Sequence, residues 1–475
     1  MEAALITAKE WPASHRNRLE GRTAAHSIRL VSLFVLALPL TLLSAGVPSM
    51  AQTPAQPVPE AARLRKPADI YREAMHPLDV VRNSLDNWSD SELGALAAGM
   101  HQAREACSQA KPEEYSGDDL YDLARLCALG QDWNSTYNAA QRYIVGDDAT
   151  HRARAYAMEV NALIQMGDLS RAVATTGDML SKLPYDAAVS ESTAYIVTYL
   201  EQALDPDALV LALHEHPAIL EALKKGVPLP ETNGSDTVSV GSLYESGMHL
   251  AFLERYAGAD GPAAWVVQEL KSALPGPELL SVEDQRLIQT VDTRYNLLGT
   301  SPPEPEILKA LPTPTGKLAL QRIHGFPTVL LLFPEWCTQC RRMVKAMTSL
   351  AEANPSQRNA AQTNPAQPKR PLKFAASALM FQNSVQDASS PLNDETRKDV
   401  QGTPTFLVSP ATAALFGATE FPTGIVEDKQ GKIVYIGLLP TNAFAPKGLI
   451  EEIVDRKNTG RSILAVIDTG AGHGG

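Results

Sequence analysis

The chain has 475 residues, 20% of them charged and 44% in the hydrophobic class, and a formal net charge of −12. That length allows two or three domains, each with its own core, and the acidic balance argues against a nucleic-acid backbone as partner. Four cysteines exclude a disulfide-dense scaffold but suffice for one active pair plus either a second bridge or two inert thiols.

Residues 1–51 read as an export signal. Lys9, Arg16, Arg18, Arg22 and Arg29 precede the apolar run LVSLFVLALPLTLLSAGV, which starts at Leu30. Ser49 and Ala51 supply the small residues of a cleavage site after Ala51. Pro39 within the run favours cleavage, and the alternative is retention as one N-terminal anchor helix. Both outcomes export the bulk of the chain to a periplasmic or other extracytoplasmic compartment, which is oxidising. Residues 52–67, QTPAQPVPEAARLRKP, form a Pro- and Ala-rich linker.

Residues 68–298 carry long helical periods with few β-branched runs. LYDLARLCALGQDWNSTYNAAQRYI and ARAYAMEVNALIQMGDLSRAVATTGDMLSKLP look like degenerate copies of one another. In each, a first helix closes on an apolar residue plus glycine, Leu129-Gly130 and Met166-Gly167, and a second helix follows. They resemble tetratricopeptide-type helix pairs, with a poorer third copy at YESGMHLAFLERYAGADGPAAWVVQELKSALP. An irregular helical bundle accounts for the pattern equally well. Such a domain offers a surface for a protein partner. Cys107 and Cys127 fall on its helices, either as a structural disulfide or as two buried thiols.

Residues 299–316, with prolines at 302, 303, 305, 312 and 314, read as a linker. Beyond it, in 317–458, short apolar runs alternate with amphipathic segments. TVLLLF, LKFAASALMF, TPTFLV, TGIVED and GKIVYIGLL predict strands; CRRMVKAMTSLAEA and KGLIEEIVDRK predict helices. The fold class expected is therefore α plus α/β: a helical repeat-like domain followed by an α/β domain. The polar stretch 354–371 reads as a surface loop. Residues 459–475 read as a flexible tail, although ILAVI within them is apolar enough to pack.

The chemistry concentrates in LLLFPEWCTQCRRM, Leu330 to Met343. A CxxC at the join of a buried strand and a helix puts Cys337 at the helix N-terminus, where free amides and the helix dipole favour a thiolate. Cys340 lies one turn further in and can attack a mixed disulfide on Cys337 from within. Trp336 covers one side, Arg341 and Arg342 add positive charge, and Glu335 opposes it. A zinc site needs four ligands, and neither a second cysteine pair nor a histidine cluster at ligand spacing accompanies this one; His214 and His216 lie in the helical half. No metal is expected.

LLLFPEWCTQC followed downstream by FPTGIVEDKQGKIVYIG resembles the thioredoxin superfamily, in particular the TlpA/ResA-like thiol–disulfide reductases of the bacterial envelope. The likeness covers roughly the last 150 residues, the scale of one domain. It implies a cis-proline opening the strand that faces the cysteines and holding substrate backbone. Pro404 and Pro422 compete for this place. Only Pro422 is followed at once by a hairpin, and the preceding TPTFLVSPATAALFG fits the strand and helix that such proteins insert before the cis-proline. Pro422 is therefore assigned, with Phe421 beside it as a bulky substrate contact.

Two departures from the family stand out: Gln339 replaces the usual proline before the second cysteine, and Leu331 occupies the place of a buried acid. Glu335 is a candidate proton acceptor or simply a solvated carboxylate. The resemblance implies reduction or isomerisation of protein disulfides through the redox-active pair Cys337–Cys340, with no other cofactor. It also implies an upstream dithiol donor, which the sequence does not name. A helical scaffold with a secondary redox module is the alternative.

Overall fold

A computed structural model describes residues 65–84, 90–146, 150–232, 234–311, 325–352, 374–382, 394–400, 403–440 and 445–464. The expected signal or anchor segment and the polar loop 354–371 lie outside the described residues. Among the described residues no helix is long and apolar enough to cross a membrane. The chain is helix-rich, with a mixed six-stranded sheet in its C-terminal part. It divides into two compact units: Met1–Tyr115 with Arg125–Asp132, and Ser116–Ala124 with Trp133–Gly475.

In the first unit, α1 (Pro67–Ser84) and α2 (Asp90–Gln109) are joined by the C-terminal part of α3 (Asp118–Leu129). A disulfide links Cys107 on α2 to Cys127 on α3, with Cα atoms 5.1 Å apart and a sequence separation of 20. Gly130 is fixed by contact, since a Cβ there would come within 2.7 Å of the Arg104 backbone. Closing a loop of this length is worth about 3 kcal/mol in the chain-entropy account. The double variant Cys107→Ala/Cys127→Ala should lose about that much stability in urea titrations, and an unchanged midpoint would contradict it.

The second unit takes the N-terminal part of α3 and then, among the described residues, eight helices: α4 (Trp133–Ile144), α5 (Arg152–Gln165), α6 (Leu169–Lys182), α7 (Ala187–Gln202), α8 (Asp207–Lys225), α9 (Val240–Ala257), α10 (Asp260–Ala273) and α11 (Val282–Leu297). A two-stranded ribbon, β1 (Leu229–Pro230) with β2 (Thr237–Val238), lies between α8 and α9 in sequence. One turn recurs along this array. After α5, Gly167 adopts φ 80° and the Asp168 amide donates back to Leu163 O at 2.9 Å. After α7, Leu204 takes φ 52° and the Asp205 amide reaches Leu200 O at 2.9 Å. After α9, Gly258 takes φ 85° and Ala259 reaches Glu254 O at 2.8 Å. The end of α3 is built the same way, with Gln131 at φ 59° and Asp132 bonded to Cys127 O.

This is a left-handed helix cap with a six-to-one amide bond. It shifts the expected alignment of the two helix pairs by one residue. Gly167 corresponds to Gln131 and not to Gly130, and a further pair, α7 with α8, was hidden because leucine sits in the left-handed place.

The sheet has the order β3-β6-β5-β4-β7-β8. Its strands are β3 (Ile307–Ala310), β4 (Thr328–Pro334), β5 (Ala375–Phe381), β6 (Thr405–Val408), β7 (Thr423–Glu427) and β8 (Ile433–Leu438). β5 runs parallel to both β4 and β6, whereas β3, β7 and β8 pair antiparallel with their neighbours. β4 is buried along its whole length, which is why its sequence is an unbroken apolar run rather than an alternation. In the β7–β8 hairpin the Asp428 carboxylate accepts from the Gln430 and Lys432 amides, and Gly431 supplies φ 72°. The remaining helices are α12 (Thr338–Glu352), α13 (Asp394–Asp399), α14 (Ala411–Leu415) and α15 (Ala445–Asn458).

The expected linker is partly structured. Within it Ile307–Ala310 form an edge strand, and upstream the Gly299 amide and Thr300 carbonyl pair with Ile433 on β8, each at 2.8 Å. Helices and sheet share one core: the Tyr256 hydroxyl donates to Ile436 O, its ring lies 5.2 Å from that of Tyr435, and Arg294 bridges Glu245 and Thr419. At Gly417, with φ 62°, a Cβ would approach Thr290 O on α11 to 2.5 Å, so only glycine permits this closeness. The expected flexible tail is also corrected in part. Ile463 and Leu464 are buried, and the Leu464 amide bonds Tyr256 O, while 465–475 lie outside the described residues.

Two buried acids and a part-buried histidine in the helices make stability pH-dependent. Glu215 is pushed up to about 7 by burial, against the Tyr185 hydroxyl that donates to it and His249 nearby. Glu159 is also pushed up to about 7, by burial above all. Burial opposes the charge on His249, but the Glu201 carboxylate at 3.1 Å outweighs it and the net shift is upward. Raised acids stabilise the fold most when protonated, and a raised histidine stabilises it while charged. All three contributions are therefore lost as pH rises, on the order of 3 kcal/mol for Glu215 alone. The melting temperature should fall between pH 5 and 8, and a rise over that range would contradict these assignments.

Candidate active site

β4 delivers the chain to the cysteines. After Pro334, Glu335 and Trp336 form a turn in which the Cys337 amide donates to Pro334 O at 3.0 Å, and α12 starts at Thr338. The parallel partner β5 holds this turn through the Glu335 amide, which donates to Phe381 O at 2.8 Å. Cys337 and Cys340 are disulfide-bonded, with Cα atoms 5.2 Å apart. Cys337 Sγ accepts the amide of Cys340 at 3.2 Å, the interaction that the first turn of a helix offers to a sulfur anion. Burial separates the pair: Cys340 is fully enclosed and Cys337 is partly open.

Trp336 is 67% exposed beside Cys337. Pro422 is buried at the start of β7, and the Phe421–Pro422 bond is cis. The register of β7 on β4, with Thr423 opposite Leu332, brings Phe421 and Pro422 to the end of β4 that leads into the cysteines. The Phe421 ring meets Phe381 edge-on at 5.2 Å. Pro404 instead precedes β6 and gives its carbonyl to the Ala378 amide, within the sheet. Leu331 is buried in the middle of β4, between Ala378 and Gly424 on the flanking strands. Glu427, a buried acid of this sheet, pairs with Thr328 at the far end of β4.

The reading of Glu335 as a solvated surface carboxylate needs correction. It is half-buried, and Gln382 Nε2 donates to its Oε2 at 2.6 Å. Gln382 was not legible as a site residue, because only the register of β5 against β4 brings it there. Its own Oε1 is buried without a hydrogen bond.

Arg341, expected to add positive charge near the pair, is buried. Its side chain is only 7% exposed, and its guanidinium donates to Glu335 O at 2.6 Å, Thr338 Oγ1 at 3.2 Å and Asp399 Oδ2 at 3.2 Å. One buried cation thus ties the residues flanking Cys337 to α13, whereas Arg342 is exposed. Removing one partner of such a pair strands the others. Arg341→Met should lower stability by about 3 kcal/mol, and any activity should fall with it. Lysine should restore little, because it lacks the planar fork. Full stability in Arg341→Met would contradict the clamp.

Among the described residues, no cluster of three or more His, Cys, Asp or Glu is placed to hold a metal ion. Cys107 and Cys127 belong to the other compact unit. No protein-family model and no curated protein sequence matches the chain.

Proposed function

We propose that the chain is an exported thiol–disulfide oxidoreductase of the thioredoxin-like kind, carrying a tetratricopeptide-like helical array, and that it reduces or isomerises protein disulfides. The observation that carries this reading is the asymmetry of the pair, with Cys337 accessible and accepting a helix amide and Cys340 enclosed behind it. In the reduced protein the Cys337 thiolate attacks one sulfur of a substrate disulfide. The substrate's other sulfur leaves as a thiolate, and a mixed disulfide forms. Cys340, deprotonated, then attacks Cys337 Sγ, closes the internal disulfide and releases the second substrate thiolate. Two electrons pass to the substrate, and a dithiol donor must return them. The exposed Trp336 and the ring of Phe421 offer apolar contact to the substrate chain.

The test is reduction of insulin disulfides by the full chain with dithiothreitol as donor. Catalysis should be present in the wild type and absent in Cys337→Ser. Equal rates for both would favour the alternative, a non-catalytic helical scaffold.

A further inference from the structure

A cleft of about 330 Å³ opens between α4, α5 and α6. On α5, Arg152, Tyr156 and Glu159 line it as one helical stripe, and α6 presents Asp178 and Lys182. Ile144, Val145 and Leu183 add apolar wall. Most of the polar groups are partnered. Lys182 and the Tyr156 hydroxyl both donate to Asp178 Oδ2, at 2.8 and 3.0 Å, and Arg152 Nη2 donates to Gly146 O at 2.7 Å.

Arg152 Nε is buried without a hydrogen bond, and among the acceptors Glu159 is the exception. It is only 7% exposed, yet its carboxylate makes no hydrogen bond or ion pair among the described residues. A buried carboxylate without a partner is costly, and a cation is what would offset that cost. Burial is the main reason its pKa is pushed up to about 7, with Arg171 working against the shift and Asp178 adding to it.

We propose that this cleft binds the aliphatic ammonium of a lysine side chain presented by a polypeptide, with Glu159 as its counter-ion. The apolar wall suits the lysine stem, which buries readily while its charge seeks a partner. Val145, 77% exposed, offers apolar surface for the rest of the polypeptide. Arg152 in the same cleft opposes a second positive charge, so a free diamine fits less well than a singly charged side chain. The assignment stands apart from the redox reading, and it is tested without turnover.

The experiment is calorimetric titration of the full chain at pH 8 with N-acetyl-lysine-methylamide, its norleucine counterpart and 1,5-diaminopentane. The lysine amide should bind saturably, and the other two at least about tenfold more weakly. Glu159→Gln should also weaken lysine binding at least about tenfold, with folding checked by circular dichroism. A pH series on the wild type does not depend on that variant. Between pH 6 and 8.5 binding should tighten about tenfold as Glu159 ionises. Asp178, held below the usual carboxylate range by Lys182, stays ionised over this range, and Tyr156, raised to about 12 by burial, stays neutral; Arg152, Arg171 and Lys182 are the cationic side chains around the cleft. The proposal is overturned if norleucine binds as well as lysine, if diaminopentane binds more tightly, if folded Glu159→Gln binds normally, or if affinity is flat with pH.

Discussion

Replacing Cys340 by alanine is expected to stop turnover and leave the chain joined to its substrate through Cys337. Attack by Cys337 needs only its own thiolate, placed where the helix amides of α12 face the sulfur. Release needs the second sulfur, which Cys340 holds one turn behind, and without it or an outside thiol the mixed disulfide on Cys337 persists. Release of reduced substrate by pre-reduced protein, with no dithiothreitol present, should fall by more than about 10³-fold, the scale seen when a nucleophilic group is removed. Non-reducing gels should show a new band that dithiothreitol dissolves. Cys337→Ser should lose activity equally and give no such band. A trapped species through Cys340 in the Cys337→Ser variant would reverse the assignment of roles.

The second large effect concerns the junction of helices and sheet. A chain beginning at Gly299 is expected not to fold cooperatively, although the proline-rich stretch suggests a separable domain. Without α9 and α11, Ile436 O loses the Tyr256 hydroxyl, Tyr435 loses the ring packed on it, and the chain at Gly417 loses the α11 backbone it lies against. Each large side chain returned to water forfeits roughly 1.5–3 kcal/mol, and several together rival the whole stability of an ordinary domain, about 5–15 kcal/mol. Thermal unfolding followed by circular dichroism decides the matter. A sharp transition near that of the full chain would show that the junction contributes little.

The site and its surroundings were legible to different depths. CxxC after a continuous apolar run was readable because a fully buried strand and a helix start leave a local signature, and the hairpin after TGIVED picked Pro422 over Pro404 by the same local logic. Gln382 and the anchoring of Arg341 by Asp399 were not readable. They depend on which strands neighbour β4 and on where α13 returns, both long-range facts. The expected alignment of helix pairs failed at one point for a physical reason. The left-handed cap residue is glycine at 167 and 258 but leucine at 204 and glutamine at 131, so a search for glycine misplaces one copy and misses another. The shared core was hidden because a proline-rich stretch looks alike whether it links two bodies or runs along the edge of one.

The most direct test of the central claim is selective reduction of the native protein. With dithiothreitol and no denaturant, then alkylation and mass spectrometry, Cys337–Cys340 should open within minutes while Cys107–Cys127 stays closed. Limiting iodoacetamide should label Cys337 before Cys340. That claim would be contradicted if Cys337–Cys340 opened only on unfolding, or if the first label fell on Cys340.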